Sequence, residues 1–222
     1  MTVLAPLHFA DAREAAALAA FLGRLVHYDR AAAVRLQAGG GALAVFGRPP
    51  SFEVLAIRTA RLVDAVDLDA TVSAGELLEG IEESAGKAVV PDSVTGPPWA
   101  GVLPPRAGWK PVAGLPGAPE MRGAVAAAVA EFRARDEELP EERRTRAERD
   151  RIGHAIWSRT LGTTGLPLRA VHAAQSLGFL PPGQDDAPVA LFASGPWLRL
   201  RTPYGSIALR TVPMALTVTP GR

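Results

Sequence analysis

The sequence predicts an α+β protein made of two subdomains, each combining helices with a mainly antiparallel sheet. Segments with apolar residues at helical spacing flank groups of short runs in which apolar residues recur at every second position. No helical segment separates the consecutive runs, which argues against parallel βαβ units. A stretch rich in proline, glycine and tryptophan divides the chain into two parts of similar size.

The first subdomain is predicted to span residues 1–90. Asp11 and Glu14 form a capping box at the start of a helix. Ser73 caps a second helix, which is predicted over 74–84. Between the two helices, alternating runs and a glycine-rich turn predict four strands. These strands are expected at 33–37, 42–46, 52–61 and 67–72.

The second subdomain is predicted to span residues 119–222, with helices first and strands after them. Pro140 fits the first turn of a helix, and Gly178 is typical of the residue that follows a helix end. The helices are predicted over 120–138, 141–161 and 166–177. The strands are predicted near 189–193, 197–202, 206–211 and 214–218.

Residues 91–118 are predicted to be an ordered connector without a regular element, because proline blocks both a helix and a central strand. Trp99 and Trp109 lie in this connector, with a proline pair and Arg106 between them. Two exposed indoles would cost free energy, so the rings are expected to be packed. They could pack between the two subdomains or against a partner.

Composition excludes several classes of protein. At 222 residues the chain is long enough to bury a core, and its formal net charge of +1 lacks the basic excess of backbone-binding nucleic-acid proteins. The absence of cysteine excludes disulfides, thiolate zinc sites and iron–sulfur clusters. Residues 1–10 do not resemble a signal peptide, and no run approaches the ~18 apolar residues of a membrane span. We therefore expect a cytoplasmic protein.

No motif of a known catalytic chemistry is present. The glycine-rich turn lacks the Lys-Ser/Thr of a P-loop, and neither Gly-x-Ser-x-Gly nor His-Glu-x-x-His occurs. His154 and His172 lie on neighbouring predicted helices with Asp150 one turn before His154, so a metal or acid–base cluster is one interpretation. Packing roles are the simpler alternative. The sequence predicts no catalytic residue, no metal and no cofactor.

The tryptophans suggest contact with a protein partner, since Trp and Arg are favoured anchors of interfaces. We expect a non-catalytic binding or scaffold protein that acts through protein–protein contacts. A homodimer is one arrangement that would bury these rings. The candidate partner-binding residues are Trp99, Arg106, Trp109, Trp157 and Trp197.

The alternative function is a nucleic-acid-associated regulator. Helix, turn, helix and hairpin follow one another in residues 141–211, which is the order of a winged helix. The predicted recognition helix offers few polar groups to read bases, and nearby acidic residues offset the basic ones. The candidate contacts with nucleic acid are Arg143, Arg146, Arg169, Arg199 and Arg201.

Three blocks, at 99–109, 156–161 and 166–180, resemble a conserved family restricted to actinobacteria. That family has no assigned function, so the resemblance implies a lineage and no activity.

Residues 1–90 resemble half of a sliding-clamp domain. The likeness rests on Phe9, the following helix, the strand at 34–37 and a strand that enters a helix at 67–78. It implies a topology of one helix, four strands and a second helix. Sliding clamps encircle DNA with basic helices, whereas the first helix here offers only Arg13 and Arg24 against its acidic residues.

Overall fold

The computed structural model describes residues 6–211, and the helices in this range lie close to most of the predicted positions. The α-helices are α1 (Ala12–Tyr28), α2 (Ala74–Glu79), α3 (Ala118–Glu137), α4 (Arg146–Trp157) and α5 (Leu168–Ser176). Short 3₁₀ turns occupy Pro98–Gly101 and Glu141–Arg143. None of the helices in the described range is both long and apolar enough to cross a bilayer.

The strands form two sheets in which every pair is antiparallel. They are β1 (Leu7–His8), β2 (Ala33–Gly39), β3 (Ala42–Gly47), β4 (Leu55–Arg61), β5 (Leu68–Ser73), β6 (Ile81–Glu82), β7 (Lys87–Ala88), β8 (Lys110–Val112), β9 (Ala190–Ser194), β10 (Trp197–Thr202) and β11 (Gly205–Arg210). A small sheet has the order β1-β7-β6. The large sheet has the order β5-β2-β3-β4-β11-β10-β9-β8. The predicted α+β class with antiparallel sheets is confirmed, and the strand expected near 214–218 lies outside the described residues.

The large sheet joins strands from both halves of the chain. β4 pairs with β11, so that Ala56 lies opposite Ile207 and Ile57 lies opposite Ser206. This pairing gives both strands a partner along edges that would otherwise expose unpaired backbone groups. A single sheet therefore runs through the molecule, with strands of the first half at one end and strands of the second half at the other.

Local capping explains where two of the helices begin. The Asp11 carboxylate accepts a hydrogen bond from the Glu14 N–H at 3.0 Å, which is one of the two bonds of the predicted capping box. The Glu14 carboxylate accepts a hydrogen bond from Arg61 Nε at 3.0 Å. α2 begins after Ser73 as predicted, but it ends at Glu79 instead of continuing to residue 84. Gly80 lies against the Val89 carbonyl, where an added Cβ would be 2.7 Å away, and the chain then enters β6. The small sheet therefore ends this helix early.

The predicted helix over 141–161 is wrong at both ends. α4 begins at Arg146, because the Thr145 hydroxyl accepts a hydrogen bond from the Glu148 N–H at 3.3 Å and caps the helix there. The residues before Thr145 form only a 3₁₀ turn, and the helix ends at Trp157. The Thr145 cap therefore sets the start of this helix, although the helical pattern of the sequence continues back to residue 141.

All five helices lie on one side of the large sheet, which we call the helix side. The largest buried side chains there include Phe21 of α1, Met121 of α3 and Ile156 of α4, each at most 1% exposed. Phe21 stacks on Phe179 with ring centroids 5.6 Å apart, which joins α1 to the segment after α5. One continuous core therefore connects the helices of both halves.

The opposite side of the sheet, the back side, is crossed by residues 93–112, which we call the strap. At one edge the Val94 N–H donates to the Thr71 carbonyl at 2.8 Å, and at the other edge β8 pairs with β9. Between these edges Trp99, Leu103 and Trp109 pack on a cluster of sheet residues. The cluster consists of Phe46, Leu55, Ile57, Trp197 and Ala208.

The expectation that the connector holds no regular element is wrong for β8. This strand contains Pro111, whose missing N–H would interrupt a central strand. β8 is the outermost strand of the large sheet, and an edge strand tolerates a proline whose nitrogen faces away from its neighbour.

Candidate functional site

A cleft of about 530 Å³ opens on the helix side between the loop at 48–54 and helices α3, α4 and α5. We call it the front cleft. Its lining residues are Ser51, Phe52, Glu53, Phe132, Arg149, Asp150, Gly153, His154, Trp157, Ser158, Arg169 and His172. The volume lies in the range of ~300–1,000 Å³ that is common for ligand sites.

Aromatic rings form a continuous wall of the front cleft. Trp157 stacks on His172, with ring centroids 4.4 Å apart and planes 21° apart. Phe52 meets His172 edge-on at 5.1 Å, and Tyr28 meets Phe52 edge-on at 6.0 Å. A Cβ at Gly153 would lie 3.6 Å from both the Trp157 indole and the Phe132 ring, which is van der Waals contact, so this position of the cleft could take a side chain without a clash. The wall therefore offers flat apolar faces with room for another side chain.

The loop that carries Phe52 has an unusual backbone. Ser51 has a φ of 68° and Glu53 a φ of 53°, so two non-glycine residues lie in the left-handed region. Each such residue costs on the order of 1–3 kcal/mol, and residues of this kind are enriched at functional sites. The alternating pattern predicted a strand from residue 52, but β4 begins at Leu55, and Phe52 points into the cleft.

The arginines of the front cleft are matched by carboxylates. Arg149 Nε lies 2.8 Å from Asp136 Oδ1, and Arg169 Nε lies 3.6 Å from Glu53 Oε2. Arg169 Nε is buried and has no hydrogen-bond partner among the described residues, because the Glu53 oxygen is too distant for a good hydrogen bond. The front cleft therefore carries nearly balanced charge around its apolar wall.

His154, His172 and Asp150 all line the front cleft, so the structure brings together the three residues of the predicted cluster. No hydrogen bond or ion pair joins them to one another within residues 6–211, and no group of three His, Asp or Glu in that range could hold a metal ion. Burial lowers the pKa of His172, which favours a neutral ring. A neutral ring suits stacking on Trp157.

Sequence reasoning identified Trp157, Arg169 and the two histidines but missed the loop. The alternating pattern predicts a strand over Phe52 and Glu53, and the helical spacing predicts Phe132 on a buried helix face. Pro49 and Pro50 just before them were the available signal, because a proline pair interrupts a strand.

A second cavity, of about 340 Å³, lies on the back side and is called the back groove. Pro104, Pro105 and Arg106 of the strap form one wall, and residues of β2, β3 and β4 form the floor. Arg199 of β10 also lines the groove, and its guanidinium lies 5.8 Å from the centre of the Trp109 ring. The Trp109 indole N–H donates to the Pro105 carbonyl at 2.9 Å, which holds the strap in this shape.

The structure places the predicted partner-binding residues on two sides. Trp99, Arg106, Trp109 and Trp197 lie on the back side, whereas Trp157 lies in the front cleft. The three back-side indoles pack against the sheet of their own chain, and Trp197 is 9% exposed.

The predicted nucleic-acid contacts are not brought together. Arg143 pairs with Glu148 at 2.8 Å, Arg146 pairs with Asp150 at 3.7 Å, and Arg169 lies in the front cleft. Arg199 and Arg201 lie on β10, the first strand of the hairpin expected to act as a wing. That hairpin is an inner part of the large sheet, because β9 and β4 pair with its two outer edges. The wing of a winged helix projects from its domain. The prediction that this hairpin forms such a wing is therefore wrong, because the hairpin lies inside the sheet.

Two family models match the chain. Residues 3–101 match the family described as "Domain of unknown function (DUF8010)", and residues 104–214 match the one described as "Domain of unknown function (DUF8185)". A comparison with curated proteins gave no match. The two matched ranges meet within the strap. The loop of the front cleft comes from the first range, and the helices of the cleft come from the second.

Proposed function

The chain belongs to the family of the domain of unknown function DUF8185, and we propose that it is a non-catalytic binding protein that acts through protein–protein contacts. The proposed contact surface is the front cleft, which would receive an apolar side chain from a segment of the partner. The observation that supports this most is the convergence of Phe52, Trp157 and His172 around open space.

The composition of the front cleft favours a protein partner. Trp, Tyr and Arg dominate the binding energy of protein interfaces, and the front cleft and its rim offer Trp157, Tyr28, Arg149 and Arg169. Tyr28 is 42% exposed although its ring contacts Phe52. An aromatic residue at such a rim could cover one side of a bound segment.

The strained loop supports the same proposal. Ser51 and Glu53 hold Phe52 between them at a cost that the fold must offset. A catalytic role has less support. The two hydroxyls that line the front cleft, those of Ser51 and Ser158, donate no hydrogen bond to a histidine or carboxylate side chain among residues 6–211, and the Ser158 hydroxyl donates to the His154 carbonyl at 2.6 Å instead.

The regulator that binds nucleic acid remains the alternative proposal, with weaker support. Arg143, Arg146, Arg149 and Arg151 each have a carboxylate within 4.0 Å, so few cations of this region are free to neutralise phosphates. Binding to mixed-sequence duplex DNA at low salt tests it directly. An association that falls with added salt and is lost in Arg146→Glu would favour this alternative over the protein partner.

A cytoplasmic setting and an actinobacterial lineage are also proposed, the first from the composition and the second from the three sequence blocks described above. A homodimer is proposed as one form of the protein–protein contact. The likeness of residues 1–90 to half of a sliding clamp is proposed only as a likeness of topology.

Selection from a library of random peptides tests the main proposal. We expect the selected peptides to share an apolar anchor residue, and we expect Trp157→Ala to weaken their binding by about 30-fold, as for an interface hot spot of about 2 kcal/mol. Gly153→Leu should also weaken binding, because it fills the space beside Trp157 without removing a ring.

Trp99→Ala is the matched control, since it removes the same side chain from the back side. Circular dichroism of each variant checks that it is folded. Peptides that bind all three variants as tightly as the wild-type chain would refute the proposal, and so would a library that yields no binding peptide.

A further inference from the structure

Arg199 is an exception among the arginines of this protein. Five arginines are partly buried in the described range, and four of them have a carboxylate oxygen within 4.0 Å. Those four are Arg35, Arg58, Arg122 and Arg169. Arg199 has no such carboxylate among residues 6–211, and its Nε is buried without a hydrogen-bond partner. A charge withdrawn from water normally has a partner, so this one calls for an explanation.

Two further arginines add positive charge around Arg199. Arg201 lies two residues further along β10 on the same side of the sheet, and Arg106 of the strap lines the same groove. Burial and the charge of Arg201 both lower the pKa of Arg199, although a guanidinium remains protonated at neutral pH. No Asp or Glu lines the back groove. An anion bound in the groove would offset both the loss of hydration of Arg199 and its repulsion from Arg201.

The shape and chemistry of the back groove limit what this anion could be. Ala44, Phe46 and Ile57 give it an apolar floor, while Gln37 and Thr59 provide neutral polar groups. The volume of about 340 Å³ accommodates a small molecule. The Trp109 ring lies against the Arg199 guanidinium. This contact holds the guanidinium in one orientation, so that its N–H groups can donate to a carboxylate.

We propose that the back groove binds a small amphipathic carboxylate. Its carboxylate group accepts hydrogen bonds from the Arg199 guanidinium, and its apolar body lies on Ala44, Phe46 and Ile57. Arg106 adds longer-range attraction from the strap. This site is separate from the front cleft, so it does not depend on the protein-binding function.

Titration calorimetry with octanoate and 1-octanol tests the proposal, because the two probes share an apolar chain and differ in charge. We expect octanoate to bind at least about tenfold more tightly than octanol, as charge-assisted hydrogen bonds predict. Octanoate affinity should also fall as NaCl is raised from ~50 to ~500 mM.

Three variants test whether octanoate binds in the back groove. Arg199→Gln should weaken octanoate binding by about tenfold and leave octanol binding unchanged. Ala44→Leu should weaken both probes, because it fills the floor of the groove. Arg210→Gln is the matched control, since Arg210 lies on the back side over Trp197 but does not line the groove.

Equal binding of the two probes would overturn the proposal, and so would octanoate binding that Arg199→Gln leaves unchanged. If Arg199→Gln does not fold, Arg106→Gln and Ala44→Leu decide the question. Arg106 is exposed, so its replacement should leave the fold intact. Unchanged octanoate affinity in both of these variants would refute the site.

Discussion

The two sides of the large sheet are covered in different ways and carry charge differently. Five helices cover the helix side over a continuous core, and the arginines of its front cleft lie beside carboxylates. One irregular strap covers the middle of the back side, and Arg199 there has no carboxylate beside it among the described residues. Elsewhere on the back side Arg35 pairs with Asp69 at 2.8 Å, so the unbalanced charge is confined to the region around Arg199.

The sequence of the strap explains this difference. Residues 93–112 contain no Asp or Glu, so the strap supplies no carboxylate to the cations of β10. The helices, in contrast, place acidic and basic residues at neighbouring positions along their surface. Glu148, for example, accepts hydrogen bonds from Arg143 and Arg151, which lowers its pKa. The strap therefore covers the back side without supplying a carboxylate to Arg199 or Arg201.

The largest expected effect is a loss of stability from Phe21→Ala on the helix side. Phe21 is 1% exposed and stacks on Phe179, so its removal leaves a cavity in the continuous core. We expect a loss of about 3–5 kcal/mol in the free energy of unfolding, measured by urea denaturation. A loss below about 1 kcal/mol would mean that the core on this side is not well packed.

A smaller effect is expected from Trp109→Ala on the back side. Trp109 is only partly buried, but it packs on the sheet and donates a hydrogen bond to the Pro105 carbonyl. We expect a loss of about 1–2 kcal/mol, which is less than for Phe21→Ala. Equal losses from the two substitutions would break the comparison between the two sides.

A smaller effect again is expected from the pH dependence of His172. Its pKa is lowered by burial, so the unfolded chain binds a proton more readily than the folded protein. Stability is therefore greatest above the usual histidine pKa of about 6.5 and falls as the pH drops below that value. His172→Phe keeps a ring against Trp157 and should make the melting temperature less sensitive to acid.

Thermal unfolding at about pH 7.5 and about pH 5.5 measures this difference. His8→Gln is the control, since His8 is exposed and lies outside the front cleft. An identical acid sensitivity in the wild-type chain and in His172→Phe would show that His172 does not contribute.

The smallest effect is expected from Arg146→Gln on α4. The ion pair of Arg146 with Asp150 spans 3.7 Å, and the two side chains are 95% and 72% exposed. Exposed pairs of this kind contribute about 0–1 kcal/mol, so we expect a change below about 0.5 kcal/mol by urea denaturation. A larger loss would show that the charges of α4 stabilise the helix side more than their exposure indicates.

Elements with a local signal were predictable from the sequence. The N-cap residue Asp11 marked the start of α1, and the run at 197–202 coincides with β10. In both cases residues within a few positions of one another provide the interactions. The overlooked Thr145 cap shows that even local signals compete when they lie close together.

Contacts between distant residues could not be predicted in this way. The pairing of Ala56 with Ile207 joins β4 to β11, and no local pattern in either strand specifies its partner. The approach of the Phe52 loop to α4 and α5 follows from that pairing. The front cleft therefore forms only when segments distant in sequence come together. Trp157 and His172 could be named as candidates because of their residue types, but their position in a shared cleft could not be predicted.

The indole N–H signals of the four tryptophans in a nitrogen-15 correlation spectrum test the proposed binding surface most directly. Addition of a library-selected peptide should shift the signal of Trp157 and leave those of Trp99, Trp109 and Trp197 in place. A shift confined to the three back-side tryptophans, or no shift at all at saturating peptide, would contradict the front cleft as the binding surface.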